Sequence, residues 1–408
     1  MTNPEQAPLQ RRLGLGDAVV IGLASMIGAG VFVVFGPAAA AAGSGLLIGL
    51  VIAAVVAYCN ATSSARLAAR YPQSGGTYVY GRERLGEFWG YLAGWSFIVG
   101  KMASCAAMAL AVGLYAWPAH AHAVAVAAVA GLTAVNYRGV QKSALLTRLI
   151  ITVVLAVLAG VVAAVLLGGR ADAGYLTLIG GTPGGVLQAA GLLFFAFAGY
   201  ARIATLGEEV RDPAETIPRA IRLALAITVA VYAALAVILL AVLGPGLESS
   251  AAPLADAVRV AGVSWLEPVV RVGAAVAALG SLLSLILGIS RTGLAMARDG
   301  HLPSALAGVH PRFAVPHRAE VTVGVIVAVV AALADVRSAI GFSSFAVLVY
   351  YAIANASAWT LGRRLIPVVG LAGCLLLAVC LPPVSVLTGS AVLAAGAVIY
   401  LIVRRPRP

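Results

Sequence analysis

Charged residues are scarce in this chain. Only 10% of its 408 residues are Asp, Glu, Lys or Arg, whereas 62% are hydrophobic. Soluble domains contain about 25% charged residues, so a soluble fold would lack the polar surface needed to cover these apolar side chains. The scarcity excludes an ordinary soluble protein and indicates a helical membrane protein with several spans. The net charge of +12 is therefore attributed to membrane topology and not to nucleic-acid binding.

Reactive and metal-binding side chains are also few. The four cysteines, Cys59, Cys105, Cys374 and Cys380, lie within apolar runs, which predicts buried packing roles. The five histidines fall in expected loops or at the beginning of an expected span and form no zinc-ligand pattern. The sequence has no Gly-x-x-x-x-Gly-Lys-Ser/Thr phosphate loop, which argues against direct coupling to ATP. These absences predict a protein that is not an enzyme and has no cofactor or resident metal.

Apolar runs of about 17–25 residues are long enough to cross a bilayer as helices. Twelve such runs are expected, at 15–40, 45–68, 88–115, 119–136, 146–168, 186–206, 220–243, 266–291, 319–335, 339–360, 365–381 and 384–403. The predicted fold is an all-α polytopic membrane protein. It has a single membrane domain flanked by short polar tails at 1–14 and 404–408.

The distribution of basic residues tests this span count. With the N-terminus in the cytoplasm, 21 of the 27 basic residues fall on the cytoplasmic side, four on the outer side and two within spans. Cytoplasmic loops carry an excess of Lys and Arg, so the asymmetry supports twelve spans with both termini inside. The first 14 residues contain no apolar signal core and are expected to stay as a cytoplasmic tail. The bias towards arginine and alanine is typical of GC-rich bacterial genomes, so a bacterial cytoplasmic membrane is the expected location.

The first span contains an interruption. The sequence Ser-Met-Ile-Gly-Ala-Gly at 25–30 places Gly28 and Gly30 in an otherwise apolar helix, and each glycine costs a helix interior about 0.8–1 kcal/mol relative to alanine. In hydrocarbon, freed backbone groups are tolerated only where they line a cavity or are buried in protein. A broken span therefore predicts a small-molecule site near the bilayer midplane. The alternative is that the two glycines only let neighbouring helices approach closely.

The sixth span contains a second glycine interruption. Gly199 lies among small and aromatic residues in the sequence Phe-Phe-Ala-Phe-Ala-Gly-Tyr at 194–200. Spans one and six occupy equivalent positions if spans 1–5 (15–168) and 6–10 (186–360) form inverted repeats. A pair of interrupted spans at equivalent positions is a sequence indication of a transporter's binding site.

Lys101 is the exceptional charge in this chain because it lies about 20 Å along the third span. Ionisable residues inside a membrane indicate function, and burial favours the neutral form of an amine. Lys101 is therefore a candidate proton carrier. The alternative is a structural lysine that is hydrogen-bonded to unwound backbone carbonyls.

Four motifs give the chain a resemblance to a known family. They are Ile-Gly-Ala-Gly-Val-Phe at 27–32, Arg-Tyr-Pro-Gln-Ser-Gly-Gly-Thr-Tyr-Val-Tyr at 70–80, the 194–200 sequence followed by Glu-Glu-Val-Arg-Asp-Pro at 208–213 and Ile-Pro-Arg-Ala at 217–220, and Ala-Met-Ala-Arg-Asp-Gly at 295–300. In this order and spacing the chain resembles a permease of the amino acid–polyamine–organocation superfamily. The resemblance implies a five-plus-five inverted repeat with discontinuous first and sixth helices, peripheral spans at 365–403, and alternating access of an amino acid or related amine.

The resemblance also implies a set of binding residues. The substrate carboxylate would meet the amides around Ile27, Gly28, Ala29 and Gly30. The amino group would meet carbonyls near Ala24 and Ser25 and near Phe195, Ala196 and Ala198. Phe197 and Tyr200 would be candidates for gating or side-chain contact, with plain core packing as the alternative.

Some proton-coupled relatives carry a lysine on the fifth span, where it replaces a sodium ion. The matching position in this chain is Val154, so we hypothesise that Lys101 has taken that role from the third span.

These inferences predict a secondary active transporter of an amino acid, working by proton symport. The expected partners are the small-molecule substrate, protons and the lipid bilayer, with no nucleic acid. An exchanger of amino acid for amine and a non-transporting amino acid sensor remain open as alternatives. The absence of acidic residues in the middle of any span favours a neutral or small substrate.

Overall fold

A computed structural model describes residues 13–71, 75–139, 144–177, 180–204 and 210–403 of the chain. Most of the two expected tails lies outside the described residues, as do the motif residues 72–74 and 205–209 and the basic residue Lys142. The described residues form α-helices joined by short loops and 3₁₀ turns, with no named β-strand. This confirms the all-α class.

The helices follow one another closely along the chain. In the first half they are α1 (Leu15–Met26), α2 (Gly30–Val33), α3 (Phe35–Ala42), α4 (Leu46–Arg70), α5 (Thr77–Leu85), α6 (Glu87–Ala116), α7 (Ala121–Tyr137) and α8 (Ala144–Leu167). In the second half they are α9 (Pro183–Phe197), α10 (Ala201–Ala204), α11 (Pro213–Leu243), α12 (Pro253–Val260), α13 (Glu267–Arg298), α14 (His317–Leu333), α15 (Val336–Trp359), α16 (Leu365–Cys380) and α17 (Pro383–Val403).

Ten helical stretches in the described residues are long and apolar enough to cross a membrane. The expected ninth and eleventh spans correspond to α14, with 17 residues, and α16, with 16 residues. At about 1.5 Å per residue these two helices measure roughly 25 Å, slightly less than the hydrocarbon core of about 30 Å. The protein is a multi-pass membrane protein, and the count of twelve spans stays a prediction.

Several helices extend beyond the apolar runs. The seventh and eighth spans were predicted at 220–243 and 266–291, but α11 begins at Pro213 and α13 ends at Arg298. Their polar ends continue the helix because the backbone hydrogen bonding does not stop where hydrophobicity stops. Pro213 suits the first helical position, where no intrahelical N–H bond is needed.

The expected turn between spans two and three is followed directly by a short helix. Gly75 and Gly76 both have positive φ, +129° and +57°, a region that glycine enters without the steric penalty of a side chain. Residue Thr77 then begins α5, whose side chains Tyr78 and Arg82 face the end of α13.

Arginines of α4 and α5 contact the loops that follow α13 and α15, and we call this end of the bundle the basic face. The hydroxyl of Tyr78 donates to the Asp299 carboxylate over 2.5 Å, and Arg82 pairs with the same carboxylate at 3.0 Å. Asp17, at the start of α1, forms an ion pair with Arg148 of α8. The sequence predicts all of these helix ends on the cytoplasmic side, and that orientation stays a prediction.

Candidate functional site

The first predicted break is present between α1 and α2. The amide of Ile27 makes the last helical bond of α1, to the Leu23 carbonyl over 2.7 Å, and the next helix begins only at Gly30. Within the described residues, the amides of Gly28 and Ala29 form no backbone hydrogen bond. These N–H groups stay available to an acceptor such as a carboxylate, and the positive end of the following helical turn favours an anion there.

The second predicted break follows α9. Helix α9 ends at Phe197, residues Ala198–Tyr200 form a 3₁₀ turn, and α10 covers only Ala201–Ala204. The tighter turn changes the hydrogen-bonding pattern of the backbone. The carbonyl of Ala198 accepts its hydrogen bonds from side chains of two other helices.

The two breaks lie against each other. A Cβ added to Gly199 would overlap the backbone carbonyl of Ser25, and a Cβ added to Gly30 would lie 3.2 Å from Cα of Ala196. A side chain at Gly199 would therefore force the two broken segments apart. The glycines at both breaks permit close approach of backbones, which is the packing role that the sequence offered as an alternative. Their role in substrate binding stays a prediction.

Two tyrosine hydroxyls donate to backbone carbonyls at the breaks or in the short helix α2. Tyr232 of α11 lies 2.6 Å from the Met26 carbonyl and 3.1 Å from that of Ala196, so its hydroxyl bridges the two broken helices. Tyr115 donates to the Phe32 carbonyl over 2.7 Å. These bonds satisfy backbone carbonyls that have no water to bond in the membrane.

Lys101 points at the second break. It is 7% exposed, and its Nζ lies 3.4 Å from the carbonyl oxygen of Ala198. Tyr351 of α15 donates to the same oxygen over 3.2 Å. In the part of the chain that the structure describes, Lys101 has no carboxylate within ion-pair distance. The lysine thus contacts the unwound backbone. This is the arrangement expected of a structural lysine, the alternative to a proton carrier in the sequence analysis.

A small cavity lies on the other side of the first break. It is lined by Ala24, Ile27 and Gly28 from the break, by Val154 and its neighbours Ile150 and Ile151 from α8, and by Ala277 and Ser281 from α13. It has room for about one water molecule. Val154 therefore faces the break directly, at the position where the resemblance would put a lysine.

The predicted aromatic residues are buried beside the breaks. Phe197 and Tyr200 are each 0% exposed. Phe197 packs at 5.0 Å, centroid to centroid, from Tyr232, and Tyr200 packs at 5.0 Å from Tyr351. In this state both rings pack in the core, and their gating role stays a prediction.

Sequence reasoning missed the residues that support the site from other helices. The sequence did not single out Tyr115, Tyr232 or Tyr351. Ser281 of α13 also lies beside the first break, because a Cβ at Gly28 would overlap Ser281 Oγ and lie 3.1 Å from Ser281 Cβ. The available signal was the presence of polar side chains within long apolar runs, since such groups inside a membrane usually face the protein interior.

Comparison with known proteins agrees with this architecture. The amino acid permease family model matches residues 17–367. An uncharacterized transporter of Mycobacterium tuberculosis is 69% identical, over 99% of this chain and 95% of its own length. The branched-chain amino acid permease BcaP of Bacillus subtilis is 28% identical, over 76% of this chain and 72% of its own. The methylthioribose transporter of the same organism is 26% identical, over 97% and 94%.

The family match spans both broken helices and most of the bundle. The names of these relatives all describe transporters or permeases, and together with the family match they point to a non-enzymatic permease. The chain belongs to the amino acid permease family of the amino acid–polyamine–organocation superfamily.

Proposed function

We propose that this chain is a secondary active transporter that moves an amino acid across a bacterial cytoplasmic membrane by alternating access, in symport with protons. The proposal includes twelve spans, two inverted five-span repeats at 15–168 and 186–360, and both termini in the cytoplasm. The observation that carries it is the direct contact of the two helix breaks, Gly199 against Ser25 and Gly30 against Ala196.

The two breaks offer complementary groups to a zwitterion. The unbonded amides of Gly28 and Ala29 suit a carboxylate, and the carbonyls of Ala24, Ser25 and Phe195 suit an ammonium group. Unwound helix ends use the same groups to bind charged substrates in other transporters. The substrate's two charges would thus be bound by backbone, with specificity left to the surrounding side chains.

Lys101 is the proposed proton carrier. Its Nζ has Ala198 O as its acceptor and no counter-ion among the described residues, and a buried ammonium without a counter-ion is costly. Binding of a substrate carboxylate nearby would favour protonation of the amine. Proton binding and substrate binding would then support each other, which is the requirement for symport.

A neutral, small or medium-sized amino acid is the proposed substrate class. A cationic side chain would meet the positive charge of Lys101 when that residue is protonated. The described residues at the breaks are small, aliphatic or aromatic and include no carboxylate. The relative named as a branched-chain amino acid permease supports a neutral substrate.

The test is uptake by purified protein in proteoliposomes, with a panel of labelled amino acids, with and without an inward proton gradient. Lys101→Met keeps the length of the side chain without the charge, and Lys101→Arg keeps a permanent charge. Arg219→Met is the matched control, because the ion pair that Arg219 forms within the described residues is with the exposed Glu215. Counterflow exchange of labelled for unlabelled substrate is measured for every variant.

The proposal expects gradient-driven accumulation by the wild type and by the Arg219 variant. Both Lys101 variants should lose accumulation by at least about tenfold, a factor that corresponds to about 1.4 kcal/mol, while exchange continues. Wild-type uptake that ignores the gradient and needs internal amino acid would show an exchanger. Loss of both accumulation and exchange in the Lys101 variants would make the lysine a structural or binding residue.

A further inference from the structure

Glu320 is a buried acid that the proposed transport mechanism does not use. It lies in the first turn of α14 and is 0% exposed. Neither of its carboxylate oxygens has a hydrogen-bond partner among the described residues. An ionised carboxylate accepts several hydrogen bonds, so this environment does not suit the charged form.

A second unsatisfied oxygen lies at the same level of the bundle. Asn136, near the end of α7, is 2% exposed; its Nδ2 donates to the Leu283 carbonyl of α13 over 3.2 Å, and its Oδ1 has no partner in the described part of the chain. Because Nδ2 is fixed by this bond, Oδ1 is an acceptor that lacks a donor.

The packing of α7 against α14 brings these two residues to one junction. Thr133 of α7 lies against Gly324 of α14, where an added Cβ would overlap it, and one turn further on the rings of Tyr137 and His317 are 6.0 Å apart. The helices therefore run antiparallel. Asn136 on α7 and Glu320 on α14 both lie between these two contacts along their helices. Helix α13 packs against both α7 and α14.

The charged groups around the junction do not satisfy Glu320. Arg291 of α13 acts on it electrostatically, but no ion pair within 4 Å joins them in the described residues. On its own helix, His317 has a buried Nδ1 without a partner. The rings of Tyr137 and His310 lie 6.0 Å and 5.3 Å from that of His317, between centroids. Residues 304–307, which also pack against α14, contain no ionisable side chain, and α6 carries its charges at Glu87 and Lys101.

We propose that Glu320 is a proton-binding site, held as a neutral carboxylic acid in a closed junction between α7, α13 and α14. A protonated carboxyl carries one O–H donor, and the unsatisfied Asn136 Oδ1 is the acceptor at the same level. One proton thereby removes the charge and supplies the donor that the junction lacks.

A proton fits this junction better than a metal ion. The two carboxylate oxygens and Asn136 Oδ1 make three oxygens, whereas hard cations such as Ca²⁺ take six to eight. The described residues contain no cluster of three or more His, Cys, Asp or Glu side chains that would hold a metal. A proton needs one donor position and one acceptor.

The site links protonation to helix packing. An ionised Glu320 needs water or the Arg291 guanidinium at its carboxylate, and in the closed junction that carboxylate is 0% exposed and has no partner among the described residues. Proton binding therefore stabilises the closed junction, and proton release favours its opening. This site is independent of Lys101, so it stands whether or not transport is proton-coupled.

The experiment is infrared difference spectroscopy of the full-length protein in lipid nanodiscs at neutral pH. A protonated carboxylic acid has a carbonyl stretch that ionised carboxylates lack and that shifts on deuteration. We expect this band in the wild type and its loss in Glu320→Gln. Glu267→Gln is the matched control, because Glu267 pairs with Arg271 over 2.8 Å and should not contribute to the band.

Absence of the band in the wild type at neutral pH would overturn the proposal whether or not any variant folds. Persistence of the band in a folded Glu320→Gln protein would overturn it as well. Glu320→Asp keeps an acid at the site and should keep the band at a shifted frequency. Glu320→Gln mimics the neutral acid, so the Tm of this variant at neutral pH should match that of the wild type. If Glu320 is instead ionised and paired in the wild type, the variant loses that pair and its Tm should be lower than the wild-type Tm.

Discussion

The hydroxyl of Tyr232 lies 2.6 Å from the carbonyl oxygen of Met26, the last residue of α1. The same hydroxyl is 3.1 Å from the Ala196 carbonyl, so one side chain of α11 joins the two broken helices. A hydroxyl has a single proton, which the two carbonyls share. Any movement that separates the breaks must weaken one of these bonds. Tyr232 is therefore placed to favour the state in which the breaks are together.

Tyr232→Phe removes this bridge and keeps the ring. Two buried carbonyls lose their donor, and an unsatisfied buried group costs about 1–3 kcal/mol. We expect a lower Tm in detergent and faster hydrogen exchange at 26–30 than in the wild type. Tyr58→Phe is the control, because Tyr58 is 46% exposed on α4 and should change neither quantity. Unchanged exchange at the first break in Tyr232→Phe would contradict a bridging role.

Gly199→Ala tests the close approach of the breaks. The new Cβ would overlap the Ser25 carbonyl, and overpacking of a tight interior costs about 1–3 kcal/mol. We expect reduced thermal stability together with loss of substrate uptake, because the two halves of the site are pushed apart.

Gly288→Ala is the matched control for that substitution. Gly288 lies inside α13, and a Cβ there would meet nothing within 4 Å. Alanine is favoured over glycine in a helix by about 1 kcal/mol, so this variant should be as stable as the wild type or more stable, with normal uptake. Equal effects of the two substitutions would mean that general helix flexibility matters and that the contact at Gly199 does not.

The contacts at the basic face predict a pH dependence of stability. His301 Nδ1 lies 2.9 Å from the Tyr78 hydroxyl. Burial lowers the pKa of His301 below its usual value, against the opposing effect of Asp299. A histidine whose pKa is lower in the folded state contributes stability above its unfolded pKa of about 6.5, and this contribution is lost as the pH falls through the folded pKa.

Acidification from pH 7 to pH 5 should therefore lower the Tm of the wild type more than that of His301→Gln. His120→Gln, at an exposed position on the opposite end of α6, should keep the wild-type pH dependence. The measurement is thermal unfolding across this pH range in one detergent. A His301→Gln protein with the full wild-type acid sensitivity would place the titrating group elsewhere.

The sequence predicted the site's backbone better than its side-chain surroundings. Gly28, Gly30 and Gly199 marked the breaks because glycine has a large local cost in a helix. Lys101 stood out because a charge inside a span is rare. Their partners Tyr232, Tyr351 and Ser281 come from helices distant in the chain. Without knowing which faces of those helices point inward, nothing in the sequence distinguishes a tyrosine that bonds a broken helix from one that packs.

The polar group around Asn355 of α15 was missed for the same reason and supports a last prediction. Its side chain accepts from Ser63 over 2.7 Å and donates to Asn60 over 2.6 Å, both on α4, and Cys374 of α16 donates to Asn60 over 3.3 Å. Asn60 and Asn355 are 0% exposed, so three helices share one buried network. Asn355→Leu would remove the acceptor of the buried Ser63 hydroxyl and leave Asn60 Oδ1 with Cys374 as its remaining donor. A buried polar group that loses its partner costs about 1–3 kcal/mol.

We expect Asn355→Leu to lower the Tm strongly and to raise the reactivity of the otherwise buried Cys374 towards a small maleimide. Ser357→Ala is the control on the same helix, because Ser357 is equally buried and its hydroxyl, within the described residues, donates to the Ile353 carbonyl one turn earlier. That variant should keep both the Tm and the low Cys374 reactivity. If Asn355→Leu is as stable as the wild type, apolar packing of α4, α15 and α16 is sufficient, and the network contributes specificity of packing without net stability.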